Sequence, residues 1–166
     1  MKIRLLKIKD IEASSEKGFT LIELLVVIGI LAILMGIVLI AINPAHQFSL
    51  ANDTNRRNAT AQILSAVGQY EAENKGTLPA GLSAGMAEKH IADTASGGVD
   101  LCAVLVAGAT QYIPALPVDP SKNTADIAAP CPATYDTGYT VSVDAGGRVT
   151  ILAPSTEVGA EIKVTR

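Results

Sequence analysis

Tryptophan is missing from this sequence, and aromatic residues make up only 4% of its 166 positions. A hydrophobic core must therefore come from Ile, Leu, Val and a few Tyr, and we expect it to be modest. Catalytic patterns are missing as well, because the chain has no Ser-His-Asp arrangement, no glycine-rich phosphate loop and no His-Glu-x-x-His. The two histidines, His46 and His90, lack a Cys or carboxylate at metal-ligand spacing, so we interpret them as surface or packing residues. The sequence supports no enzyme activity, cofactor or metal site.

An apolar run without charged residues extends from Leu24 to Ile42 and contains only Leu, Ile, Val, Ala, Met and Gly. As a helix it would rise about 29 Å, which matches the hydrocarbon core of a bilayer. A single span in lipid must satisfy its own backbone hydrogen bonds, which favours a helix. The alternative, a cleaved secretory signal, has an apolar region of about 7–15 residues and a small-residue cleavage site behind it. This run is longer, and no such site follows.

Positive charge is concentrated ahead of that run. Residues 1–18 carry five Lys or Arg and three Asp or Glu, a net +2, which leaves −5 for the remainder of a chain whose total is −3. The basic flank orients its end of the apolar segment to the cytoplasm, so the remainder is expected outside. Residues 19–166 are therefore acidic, whereas nucleic-acid-binding proteins are typically basic.

A carboxylate, Glu23, stands at the start of the apolar run, where an ionisable group by default suggests a function. The simpler alternative is a Glu that lies near lipid headgroups or favours a helix N-terminus. The segment Lys17-Gly18-Phe19-Thr20-Leu21-Ile22-Glu23, followed by Leu-Leu-Val-Val-Ile-Gly-Ile-Leu, resembles the class III signal of the type IV pilin superfamily. That superfamily includes pilins and the pseudopilins of type II secretion. The resemblance covers residues 17–42.

This resemblance implies processing at named residues. A prepilin peptidase would cut after Gly18 on the cytoplasmic side, and Phe19 would become the N-methylated first residue. Glu23 would pair with the Phe19 amine of a neighbouring subunit during assembly. An unpaired carboxylate in apolar surroundings is costly, and a partner amine removes much of that cost.

Composition divides the chain into successive segments. They are a leader removed from the mature protein (1–18), an apolar transmembrane or filament-core helix (19–43), an amphipathic second half of that helix (44–75), an irregular connection (76–134) and an antiparallel sheet (135–166). Pro44 predicts a helix kink, because proline removes a helix hydrogen bond and restricts its predecessor. Short helices are predicted over 83–93 and 99–107. On the amphipathic half, Arg56 and Arg57 are expected away from the apolar face.

Three alternating segments, 139–144, 148–152 and 160–165, predict strands, and Asp144-Ala145-Gly146-Gly147 predicts the turn of a hairpin. The predicted fold class is α+β. A long N-terminal helix packs its second half on a small head that contains a three-stranded antiparallel sheet.

The chain has only two cysteines, Cys102 and Cys131, and both fall in the part expected outside the cytoplasm. There a disulfide can form and persist, and it would staple the region with the weakest secondary-structure pattern. The alternative is two unrelated buried thiols.

Two further patterns have simpler explanations. Asp119, Ser121, Asn123 and Asp126 lie in one loop and could offer oxygen ligands to calcium, but short polar residues are also what any turn uses. Asn52 and Asn58 begin glycosylation sequons that lie on the predicted helix, and such sequons occur often by chance.

The predicted function is a structural subunit of a type IV pilus, membrane-anchored with its head outside and then assembled into an extracellular homo-oligomeric filament. Its partners would be prepilin peptidase and the assembly machinery. One alternative is a pseudopilin of a type II secretion system, because the run from Leu116 to Pro120 is similar to that of major pseudopilins, whereas a disulfide is more usual in pilins. Another is a membrane-anchored binding domain that never assembles.

Overall fold

The computed structural model describes residues 18–166, and the chain forms two compact units that divide between Asn43 and Pro44. The described part of the first unit is helix α1, Leu21–Ile42. None of its 22 residues is buried, and its most apolar 18-residue segment has a mean hydropathy of 3.3. By length and composition it can cross a membrane.

The helix boundary falls at the asparagine-proline pair. Asn43 takes a left-handed conformation, with φ 47°, and ends α1. Helix α2, Pro44–Glu73, begins at the next residue. Proline suits a first helical position because its missing N–H has no partner there in any helix.

The second unit, Pro44–Arg166, combines α2 with short strands and turns. In chain order the remaining elements are β1 (Lys89–Ala92), a 3₁₀ turn (Thr94–Ser96), α3 (Cys102–Leu105), β2 (Ala115–Leu116), a second 3₁₀ turn (Pro120–Lys122), β3 (Ile127–Ala128), β4 (Asp136–Val143), β5 (Val149–Ala153) and β6 (Ile162–Thr165). The β2–β3 pair forms a small separate sheet. The predicted α+β class with a pilin-like architecture is confirmed.

The main sheet is antiparallel with the order β1-β4-β5-β6. The hairpin between β4 and β5 turns at 144–148, where the Arg148 N–H donates to an Asp144 side-chain oxygen over 2.9 Å. Burial alternates along β5 as the pattern predicted, whereas in β4 Thr140 is buried together with Tyr139 and Val141. The strand count was wrong by one, because β1 adds a fourth strand.

Strand β1 comes from the stretch 83–93, for which a short helix was predicted. Its residues pair with β4 about fifty positions later, with Lys89 opposite Val141 and His90 opposite Thr140. Backbone pairing at that separation leaves no mark on local periodicity, which is why the helix prediction failed. The second predicted helix, over 99–107, is reduced to the single turn of α3.

Helix α2 packs on strands β5 and β6. Its buried stripe includes Ala59, Ile63, Ala66 and Val67, whose spacings of four, three and one keep them on one face. These side chains join the buried residues of the sheet in one hydrophobic cluster. The helix therefore covers one face of the sheet and completes a thin, mainly aliphatic core.

Candidate processing and assembly segment

Residues Gly18, Phe19 and Thr20 lead into α1, and Thr20 is its N-cap. The Glu23 N–H donates to Thr20 Oγ1 over 3.3 Å, and Glu23 Oε2 accepts from both Thr20 N and Thr20 Oγ1 at 2.8 Å. This is a reciprocal capping box. Sequence reasoning missed it, although the Thr-x-x-Glu spacing is its signature.

The capping box gives Glu23 a role within a single chain. In the precursor Phe19 carries a peptide nitrogen, so a free amine at this position arises only when the leader is cut. In the structure Glu23 is bound to Thr20. Its pairing with a Phe19 amine would occur only after the leader is cleaved, and it is a proposal.

All of α1 is exposed, and Glu23 is its only ionisable residue. Large apolar side chains such as Leu21 and Ile40 are more than four-fifths exposed. Each would cost about 1.5–3 kcal/mol in water relative to an apolar setting. The helix requires lipid or other helices around it.

The structure joins Cys102 and Cys131 in a disulfide, with the Cα atoms 6.0 Å apart. Cys102 is fully buried in α3, and the bond ties α3 to the chain ahead of β4. The two cysteines are 29 positions apart, and the loop between them contains β2, β3 and the second 3₁₀ turn. These elements are too short to hold this region by themselves.

Breaking the disulfide should destabilise the second unit. For a loop of this size the chain-entropy model gives about 3–4 kcal/mol. We expect Cys102→Ser with Cys131→Ser to lower the unfolding temperature of the mature protein in detergent micelles, as followed by circular dichroism. In the unaltered protein both thiols should resist alkylation until reductant is added. Free thiols in protein taken from the cell surface would contradict this prediction.

The second unit also contains a buried charged cluster around Arg56. The guanidinium binds Asp119 through two nitrogens at 2.8 and 3.0 Å, Asp53 at 2.8 Å and Glu157 at 2.9 Å. Arg56 is fully buried, and Asp53 and Asp119 are almost fully buried. The expectation that Arg56 lies away from the packed face was wrong. No local pattern predicts this burial, because the partners Asp119 and Glu157 lie 63 and 101 residues away in the chain.

The residues named for the calcium alternative lie in or beside the same cluster. Both Asp119 oxygens are bound by Arg56, and Oδ1 also accepts from the Ser121 N–H and hydroxyl at 2.9 and 2.7 Å. Asn123 ends the 3₁₀ turn in a left-handed conformation, and Asp126 accepts from the Val118 N–H at 3.0 Å. These residues therefore act as turn and pairing residues. Within residues 18–166 no group of three His, Cys, Asp or Glu could hold a metal ion.

The loop reaches Arg56 because of a close backbone approach at Gly138, whose φ is +80°. A Cβ at this position would lie 2.8 Å from Asp119 Cβ. The Asp119 N–H donates to the Thr137 carbonyl over 2.8 Å, which fixes the loop on β4. Glycine is needed here both for its backbone conformation and for the space.

Of the remaining sequence candidates, Asn52 adjoins the Arg56 cluster through Glu157. His46 is exposed on α2, and His90 is exposed on β1 with Nδ1 3.9 Å from Asp136. Asn52 donates to Glu157 over 3.0 Å, and Asn58 is exposed. The sequon of Asn58 depends on Thr60, whose buried hydroxyl donates to helix carbonyls.

A capped apolar helix without a buried face and a small disulfide-bonded α+β unit are features of a pilin-like architecture. In agreement, residues 13–39 match the prokaryotic N-terminal methylation motif, the class III prepilin signal typical of type IV pilins and pseudopilins. These are structural, non-enzymatic proteins, and the motif implies processing by prepilin peptidase. No curated protein and no solved structure matches the chain.

Proposed function

We propose that this chain is the precursor of a pilin, a structural subunit of an extracellular type IV pilus. The observation that carries the proposal is the methylation motif at the head of a helix that is apolar on every side. The mature subunit would keep α1 as its membrane anchor. It would then enter a homo-oligomeric filament with α1 at the filament core.

The energetics of α1 link extraction to assembly. Moving the whole helix from lipid into water would cost roughly 30 kcal/mol or more at the usual value per apolar side chain. That cost is avoided only if the helices of other subunits replace the lipid. A filament of packed α1 helices meets this requirement, whereas a released monomer does not.

The disulfide favours a pilin over a pseudopilin, the second candidate. The pseudopilin alternative is favoured by the run from Leu116 to Pro120, in which Asp119 is held by Arg56. Electron microscopy of cells with antibody against the second unit separates the two: labelled long surface filaments support the pilin. Labelling that stays at the cell envelope, with loss of protein secretion on deletion, supports the pseudopilin.

Mass spectrometry of the mature protein tests the processing step common to both. The expected N-terminus is N-methylated Phe19. A mature chain that starts at Met1 would remove the proposal and favour a plain membrane-anchored binding domain.

Cleavage should depend on Gly18. We expect Gly18→Val to leave the leader attached, because the peptidase needs a very small residue beside the scissile bond. The measurement is electrophoretic mobility together with the intact mass. Gly29→Val is the matched control, since a side chain at Gly29 meets open space and should not affect cleavage. Normal maturation of Gly18→Val would contradict the proposed cut.

A further inference from the structure

The first two turns of α2, residues 44–51, are exposed on every side except at the half-buried Ser49. Within residues 44–166, all of which the structure describes, Phe48 and Leu50 are the large apolar side chains that stay exposed, at 71% and 42%. The other large apolar side chains of this unit are buried or half-buried. The first buried residue of α2 is Asp53. The exposed apolar surface of the second unit is therefore confined to the end that follows α1.

Phe48 and Leu50 point to opposite sides of this segment. At 3.6 residues per turn, two positions along a helix are about 200° apart. A groove on one protein partner would cover one of these side chains and leave the other in water. An environment that surrounds the helix covers both, and the interfacial layer of a bilayer is such an environment for a segment that passes through it.

The absence of charge continues beyond α1 into the same segment. No Asp, Glu, Lys or Arg occurs from residue 24 to residue 52. Asp53 and Arg56 come next, and they are buried and paired with each other. Arg57 is therefore the first exposed residue of these four types after Glu23. A charged side chain is costly close to the hydrocarbon core, and this segment contains none.

Chain length keeps the segment close to the surface of a bilayer that α1 crosses. The run from Leu24 to Ile42 rises about 29 Å as a helix, which fills the hydrocarbon core. The headgroup layer adds about 5–8 Å on each side. Phe48 is six positions after Ile42, and six helical residues rise only about 9 Å. The Phe48 ring can therefore reach the boundary between headgroups and acyl chains.

We propose that residues 44–51 lie in the lipid–water interface on the side where α1 leaves the bilayer, with Phe48 and Leu50 inserted at the acyl boundary. The partner is the phospholipid surface itself. Because the segment has no Asp, Glu, Lys or Arg, the contact depends neither on anionic lipid nor on ionic strength. It holds the start of the second unit at the membrane before assembly. The proposal rests on α1 as a membrane anchor and does not depend on a filament.

Tryptophan fluorescence of the mature full-length protein in phosphatidylcholine vesicles tests this placement. The chain has no tryptophan, so a single substitution supplies the only indole. Phe48→Trp and Leu50→Trp report on the segment, and both positions are exposed enough to accept the larger ring. Lipids brominated either near the headgroup or near the ends of the acyl chains quench an indole at their own depth. Both reporters should lose more intensity with bromine near the headgroup.

Two further positions calibrate the measurement. Leu31→Trp, in the middle of α1, should lose more intensity with bromine near the chain ends, which shows that α1 is inserted. Gln69→Trp is the matched control, an exposed position about 31 Å further along α2 than Phe48, and neither lipid should quench it. Replacing part of the phosphatidylcholine by phosphatidylglycerol, or adding sodium chloride, should leave the quenching of Phe48→Trp unchanged.

Several outcomes would overturn the proposal. If Phe48→Trp and Leu50→Trp are as little quenched as Gln69→Trp while Leu31→Trp is quenched, the segment is in water and the membrane anchor still stands. If Leu31→Trp is not quenched either, the anchor fails as well. Quenching of Phe48→Trp that disappears in salt would assign the contact to charged groups.

A second copy of the chain is the other possible partner of this segment. In that case the emission of Phe48→Trp would move to shorter wavelength as the protein density in the vesicles rises, without quenching by either brominated lipid. This result would also overturn the proposal. Quenching of only one of Phe48→Trp and Leu50→Trp would contradict a segment that lipid surrounds.

Discussion

Glu23→Val is expected to abolish filament assembly while leaving membrane insertion and leader cleavage intact. Insertion should persist because the change makes α1 more apolar. Cleavage should persist because Gly18 and Phe19 are unchanged. Assembly should fail because the carboxylate that would pair with the Phe19 amine of a neighbouring subunit is gone. Shearing and electron microscopy measure the filament yield. Mass spectrometry of the membrane fraction measures insertion and leader cleavage.

The capping box makes a sharper comparison necessary, since valine removes both the charge and the cap. Glu23→Gln keeps a side chain that can complete a capping box but removes the charge. Thr20→Val does the reverse, because it removes the cap and keeps the carboxylate, at a cost of about 1 kcal/mol in helix stability. If charge pairing controls assembly, Glu23→Gln should fail to assemble and Thr20→Val should assemble.

The opposite pattern would contradict the pairing proposal. Normal filaments from Glu23→Gln together with none from Thr20→Val would assign the effect to the helix cap. Normal filaments from Glu23→Val would show that neither role is needed.

Replacing Arg56 with Met should reduce the free energy of unfolding of the second unit by about 3–5 kcal/mol. Methionine fills much of the same volume, but the buried carboxylates of Asp53 and Asp119 lose their common cation. Breaking a buried ion pair on one side leaves a buried charge without its counter-charge. Thermal unfolding of the mature protein in micelles, followed by circular dichroism, measures the loss.

Arg57→Met is the matched control, because Arg57 is the next residue on the same helix and is exposed. Its effect should stay within about 0.5 kcal/mol. Adding Asp119→Asn to Arg56→Met should restore part of the stability, since one of the stranded charges is removed. Equal stability of the Arg56→Met and Arg57→Met proteins would show that the cluster contributes no net stability.

Acid should weaken the same cluster. Burial acts to raise the pKa of Asp53, but the N–H groups of Glu157 and Val158 and the Arg56 guanidinium outweigh it and hold the pKa below its ordinary value. Burial also acts to raise the pKa of Asp119, and Arg56 with Ser121 outweighs it in the same way. The unfolded chain therefore binds more protons than the folded chain as the pH falls, so the stabilisation is present above about pH 5 and is lost below about pH 4. In Arg56→Met this acid dependence should be smaller.

The structural prediction succeeded where a local pattern carries the information. The apolar run of α1 is evident because 19 consecutive residues without charge allow few alternatives to a membrane-compatible helix. The hairpin of β4 and β5 follows from alternation on both sides of a turn. Strand β1 of the same sheet was missed because Lys89–Ala92 pairs with residues that lie far away in the chain.

The sequence by itself determined the processing motif, the apolar helix and the strand alternation, because each depends on residues within one or two helical turns or one hairpin. Only the tertiary structure decided that Arg56 is buried. Its partners Asp119 and Glu157 lie 63 and 101 residues away and come together when the loops close on α2. The tertiary structure likewise decided that the buried Tyr139 hydroxyl has no hydrogen-bond partner within residues 18–166. The burial and pairing of polar groups depend on which distant segments of the chain come into contact, and no local sequence pattern predicts those contacts.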